Sequence, residues 1–114
     1  MRSDELLQQT LEATGLPVKQ YEYKGTKPEY ILFNEEDERS VLYADNRPME
    51  VSLWWQVHLF APKEYDYRSM KRRIRYLLLN AGFSVREAVT IYEEETETIH
   101  VVMSCHITEK MEEE

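Results

Sequence analysis

Between Glu50 and Pro62 the chain reads Glu-Val-Ser-Leu-Trp-Trp-Gln-Val-His-Leu-Phe-Ala-Pro. Successive side chains of an extended strand point to opposite faces. Val51, Leu53, Trp55, Val57 and Leu59 therefore share one face, and Ser52, Trp54, Gln56, His58 and Phe60 share the other. The first face is apolar throughout and demands a core. The second sets two aromatics among polar groups, which implies a sheet face partly covered by something other than that core. Pro62 stops the strand. Asp66 can then cap a helix over Arg68 to Ala81, in which Met70, Ile74, Leu77, Leu78 and Ala81 recur at helical spacing while Arg68, Lys71, Arg72 and Arg75 occupy the outer side. Each large buried side chain of that stripe is worth about 1.5 to 3 kcal/mol, so the stripe governs docking. Asn80-Ala81-Gly82-Phe83 closes the helix, with Gly82 in the left-handed position and Phe83 placed against Leu78.

The remaining elements follow from similar signals. Leu6, Leu7 and Leu11 form one stripe of a short helix over residues 4–14, with Ser3 or Asp4 as N-cap and Gly15 past its end. Val18 to Tyr23 reads as an edge strand running toward a turn at Gly25, and Tyr30-Ile31-Leu32-Phe33 as a strand that leaves the core at the acidic run after Asn34. Arg39 to Met49 reads as a long, partly ordered loop, in which Val41, Leu42 and Tyr43 could form a short extended piece before the Ala44-Asp45-Asn46-Arg47-Pro48 breaker cluster. Val85 to Glu93 and Thr98 to Ile107 are two further strands joined by the turn Glu94-Glu95-Thr96-Glu97. In the second of them Ile99, Val101, Met103, Cys105 and Ile107 face one way, and His100, Val102, Ser104 and His106 the other. Glu109 to Glu114 reads as a charged, frayed tail. The expected order is α-β-β-β-α-β-β: an α+β fold in two layers, a mostly antiparallel five-stranded sheet with two helices on one face. At 114 residues the whole chain, 1–114, is expected to be a single domain.

Charge and chemistry narrow the function. Against 14 basic residues stand 22 acidic ones, and the net charge of -8 repels polyphosphate at long range. The lone Cys105 permits no intrachain disulfide. The opening residues carry no apolar stretch of the secretory kind, and no segment approaches the roughly 20 apolar residues that span a bilayer. A cytoplasmic protein with no membrane partner is the expectation. His100 and His106 share a strand face but lie about 20 Å apart, too far to hold one ion, and only His58 could meet either across the sheet. Cys105 sits in an apolar row and reads as a small hydrophobe. The three glycines are isolated and form no phosphate-cradling loop. No catalytic residue, cofactor or metal site is expected. The basic helix face, Arg68, Lys71, Arg72, Arg73 and Arg75 with Tyr65, Tyr67 and Tyr76 nearby, reads as a protein interface, a solvated face or a nucleic-acid contact.

Several stretches together carry a resemblance. They are Leu11-x-x-Thr14-Gly15-Leu16-Pro17-Val18, Tyr30-Ile31-Leu32-Phe33-Asn34-Glu35, Tyr43-Ala44-Asp45-Asn46-Arg47-Pro48, Trp55-Gln56-Val57-His58-Leu59-Phe60, Leu78-Leu79-Asn80-Ala81-Gly82-Phe83, and Ile91-Tyr92-Glu93-Glu94 before Ile99-His100-Val101-Val102. In order and over nearly the whole chain, they resemble the small tail-completion, or tail-to-head joining, proteins of long-tailed bacteriophages and prophages of Gram-positive bacteria. The resemblance implies a sheet flanked by helices and a non-enzymatic virion protein, made in the host bacterial cytoplasm and resident in the tail or neck. It implies a ring of six copies at the head-proximal end of the tail tube. Its partners would be itself, the tail-tube protein and head-connector proteins, with nucleic acid present only as DNA passing through the ring. Candidate contacts are Trp54, His58 and Phe60 on the strand, Arg68, Arg72 and Arg75 on the helix, and Glu94 and Glu95 in the turn. A nucleic-acid or regulatory module using Arg68 to Arg75 is the alternative, and a small enzyme the third reading.

Overall fold

The computed structural model describes residues 2–44 and 47–110, and the side chains of 2–41 and 50–110. Its elements are α1 (Ser3–Glu12), β1 (Val18–Gln20), β2 (Tyr30–Ala44), β3 (Arg47–Pro62), α2 (Tyr67–Asn80), β4 (Ser84–Glu93) and β5 (Thr98–Lys110), in the expected order. The strands make one five-stranded sheet in the spatial order β1-β2-β3-β5-β4. Only β1 and β2 are parallel; the other three pairings are antiparallel.

The two-faced strand is at the centre. One side of β3 pairs with β2 from Tyr30↔Phe60 to Ala44↔Arg47, and the other with β5 from Glu50↔Lys110 to Pro62↔Thr98. Its odd-numbered residues from Val51 to Ala61 are all buried, facing the same core as Ile31, Phe33, Val101, Met103 and Cys105. Both helices close that face, since Leu7 and Leu11 of α1 and Ile74 and Leu78 of α2 belong to the same cluster and are fully buried. Helix α1 lies toward β1, and α2 over β4 and β5. Arg73 ties the two together by donating from Nη2 to the Ala13 carbonyl at 2.9 Å, a cation at the carbonyl end of α1.

Five expectations need correction. The stretch Arg39 to Met49 is not a loop: β2 runs to Ala44 and β3 starts at Arg47, with Asp45 and Asn46 outside the described residues. Burial does end after Phe33, but the backbone of β3 still needs partners and β2 supplies them, with register shifts at Glu35/Asp37 and beyond Ser40. The N-cap of α1 is Arg2, not Ser3 or Asp4. Ser3 is buried in the first turn, where its Oγ accepts from Trp55 Nε1 at 3.0 Å and its N–H donates to Glu109 Oε1 at 2.9 Å. The edge strand β1 stops at Gln20, because Tyr21 turns to φ 72°. Glu109 and Lys110 belong to β5 rather than a frayed tail, held by pairing with Val51 and Glu50; residues 111–114 lie outside the described ones. Arg73 leaves the outer basic face for the contact with Ala13.

The end of α2 is as expected. Phe83 N–H donates to the Leu78 carbonyl at 3.0 Å and Gly82 N–H to that of Leu79 at 3.1 Å, with Gly82 at φ +101°. A Cβ at Gly82 would meet only Ile107 Cδ1, at 3.8 Å, so the cost of adding one is conformational rather than steric. Gly82→Ala should lower stability by about 1 to 2 kcal/mol. Urea denaturation would read this as a lower midpoint with an unchanged slope; an unchanged midpoint would mean the turn relaxes freely.

Candidate interaction surface

The helices cover one face of the sheet and leave the other open. On that open face Trp54, Gln56, His58 and Phe60 of β3 stand half-buried, and the aromatics fall in two groups about 20 Å apart along the strand. Register builds both groups. Because Trp54 pairs with His106 and Phe60 with His100, the six-residue spacing on β3 meets the same spacing on β5.

Around Phe60 the rings form a continuous stack. Tyr23 lies 4.6 Å from Tyr30, Tyr30 5.0 Å from Phe60, and Phe60 4.1 Å from His100 by ring centroids. A polar chain is joined to it. His58 Nε2 lies 2.7 Å from Asn34 Oδ1, an oxygen that only accepts, so Nε2 carries the proton. His58 Nδ1 is then the acceptor for His100 Nε2–H at 2.9 Å, and Asn34 Nδ2 donates to Gln56 Oε1 at 3.3 Å. His100 Nδ1 is left facing Glu93 Oε1 at 3.7 Å. Both imidazoles are held below their usual pKa by burial; His100 adds to the effect at His58, while Glu93 opposes it at His100. A proton on His58 Nδ1 would set two N–H groups against each other.

Around Trp54 the arrangement is cationic. Its ring stacks on His106 at 4.1 Å, and the guanidinium carbons of Arg39 and Arg86 each lie 5.1 Å from the Trp54 ring centre. Arg86 is the extra residue of a bulge between Val85 and Glu87, which aims it across the sheet. Asp37 holds Arg39 through a 2.7 Å ion pair. Glu36, at the bulge in β2, accepts from Ser104 Oγ at 3.3 Å.

The predicted contacts thus divide. Trp54, His58 and Phe60 share the open face, in separate groups. Arg68, Arg72 and Arg75 belong to α2, in the opposite layer, where Arg68 and Arg72 are exposed and Arg75 is half-buried. Glu94 and Glu95 are exposed in the β4–β5 turn, where Glu97 takes the ion pair, at 2.7 Å to Lys63. Sequence reasoning missed Arg39, Arg86 and Asn34, whose roles depend on bulges and cross-strand neighbours. The matched spacings of Trp54/Phe60 and His100/His106 were the signal that could have joined those four.

Burial, reinforced by Glu36, raises the Cys105 thiol to about 12, so it stays protonated at neutral pH. Among the described residues, no three His, Cys, Asp or Glu side chains converge as a metal site. A shallow groove between the start of α1 and the far half of the sheet is lined by Asp4, Glu35, Glu38 and Glu109 beside Arg2 and Trp55. It is acidic and suits a cationic side chain. No described helix is long and apolar enough to cross a membrane.

No family model matches the chain, and no curated protein matches it. The fold itself recurs, since 23 chains of solved structures match. One of these, known only by a sequence identifier, aligns over 100% of this chain and 99% of its own at a TM-score of 0.53 and 14% identity. That likeness shows the fold alone.

The histidine pair sets a pH dependence. Both imidazoles bind protons less readily in the folded chain than in the unfolded one, so their contribution is complete above about pH 6.5 and is lost as pH falls below it. The melting temperature should therefore drop between about pH 6.5 and about pH 5, above the range where ordinary carboxylates titrate. His58→Gln with His100→Gln should flatten that part of the curve; an unchanged slope would assign the drop to other groups.

Proposed function

We propose that this protein is a structural, non-enzymatic subunit that completes the head-proximal end of a phage tail. It assembles as a ring, with six copies expected, and joins the tail tube to the head connector. The observation that carries the reading is the presence of chemically different surfaces on opposite layers of one subunit. Closed rings are built from heterologous contacts, in which one patch meets a different patch of the next copy. Here the basic stripe of α2 lies in one layer, and the aromatic face bearing Trp54 and Phe60 lies in the other. The residue pattern shared with tail-completion proteins supports the same reading. So does the fold, a sheet with helices on one face. The partners are further copies of the chain, the tail-tube protein and the head-connector proteins, in the host bacterial cytoplasm and then in the virion neck.

The nucleic-acid alternative is weaker for a specific reason. Of the cations on α2, Arg73 is engaged by the Ala13 carbonyl and Lys71 Nζ donates to Thr90 Oγ1 at 3.0 Å. Fewer charges are left to track a phosphate backbone, against the net charge of -8.

Light scattering over a concentration series, with and without tail tubes, and electron microscopy of the large species test the reading. Rings with a central channel are expected. Arg72→Glu with Arg75→Glu should reduce ring formation and tail joining. Equal assembly by the double variant would remove those residues from the contact, and a wild-type chain that stays monomeric even with tail tubes would overturn the ring.

A further inference from the structure

Besides the outer edge of the three-residue β1, two longer strand edges are open among the described residues, and they differ in chemistry. Among the described residues, β1 covers β2 only at Ile31 to Phe33, so the outer edge of β2 from Glu35 onward has no strand beside it. That edge begins with four consecutive acidic residues, Glu35, Glu36, Asp37 and Glu38, all exposed. The other open edge is β4, paired only with β5. There Val89, Thr90, Ile91 and Tyr92 form an exposed run without a charge. Lone edges of soluble proteins are normally blunted by charge, proline or a bulge, because their free N–H and C=O groups recruit other strands. The acidic edge is protected in this way and the middle of β4 is not.

The surroundings of β4 point the same way. Among the described residues seven large hydrophobic side chains are exposed, and five of them lie on β4 and α2: Tyr76, Leu79, Val89, Ile91 and Tyr92. The Lys71–Thr90 contact sets the basic stripe of α2 beside this edge. On the acidic edge, Glu35 and Glu38 line the groove with Asp4 and Glu109 on the helix-bearing side of the sheet.

We infer that the β4 edge of one copy pairs with the free β2 edge of the next, so that sheets run continuously from subunit to subunit. Edge-to-edge joining that keeps the two layers in register brings α2 of one copy over the acidic groove of its neighbour. Arg68, Arg72 and Arg75 then meet Glu35, Glu38 and Asp4, and the occupant of each edge is a second copy of this chain. Charge complementarity selects the pairing, since two acidic edges repel each other and two β4 edges bring basic helices together. The inference deepens the ring reading and rests on it only for closure into a ring.

Two variants with one added cysteine each separate these possibilities. Glu36→Cys and Ile91→Cys are each exposed, while Cys105 is fully buried and unreactive. With a short bis-maleimide, cross-linked dimers should form when the two variants are mixed and in neither alone, and should fade as salt rises. Adding Glu35→Lys and Glu38→Lys to the first variant should abolish the mixed dimer, and adding Arg72→Glu and Arg75→Glu to the second should restore it. No dimer in the mixture, or equal dimers in each variant alone, overturns edge pairing. Rings without the mixed cross-link would retain the ring and reject this contact; open chains with the cross-link would retain the contact and reject closure.

Discussion

The pairing of β3 along both edges is the constraint on which the rest depends. A strand's side chains alternate with a period of two, so a slip of one residue against β5 would send Val101, Met103 and Cys105 to the open face and bring His100 and His106 into the core. The apolar row of β3 forbids that slip. The register that builds the core is therefore the one that sets Phe60 on His100 and Trp54 on His106. Core and surface are two consequences of one choice, and neither could shift without the other.

What was legible in the sequence is what depends on near neighbours. The alternation of Val51 to Leu59, the helical stripe from Met70 to Ala81 and the Gly82 terminus are local patterns, and each appears where expected. The length of β2 was not legible, because loss of burial after Phe33 was read as loss of strand. Extended backbone persists wherever a paired neighbour takes up its hydrogen bonds, and that neighbour lies across the hairpin. Ser3 misled for a similar reason. A cap-type residue near a helix start usually caps it, yet here the indole of Trp55 holds the hydroxyl in the core. Arg73 resembles its basic neighbours in every local respect and differs only in facing the end of α1. The candidate contacts were legible as faces but not as groups, since Arg39 and Arg86 reach Trp54 through bulges that leave no sequence period.

The two helices are too short for the sheet they cover. At about 1.5 Å per residue, α1 with 10 residues and α2 with 14 span about 15 and 21 Å. The long axis of the molecule is 54 Å, close to what the 16 residues of β3 reach at about 3.3 Å each. Part of the sheet must therefore extend past its own helix layer. The chain meets this by turning β2 acidic at the point where the cover ends, so the exposed strand is kept in water by carboxylates rather than buried.

Those same carboxylates bear on assembly. A run of four acidic residues along an open edge, on a chain already carrying a net charge of -8, keeps free copies apart and prevents indiscriminate strand pairing. The repulsion is lifted only where a neighbour brings cations alongside a strand that can pair, and Lys71 ties the basic stripe of α2 to the uncharged stretch Val89 to Tyr92 of the β4 edge. In the proposed assembly the backbone pairing is non-selective and supplies adhesion, while the charges decide which two edges meet. Selectivity of this kind needs no deep pocket or large apolar patch, and the groove beside the acidic edge is shallow.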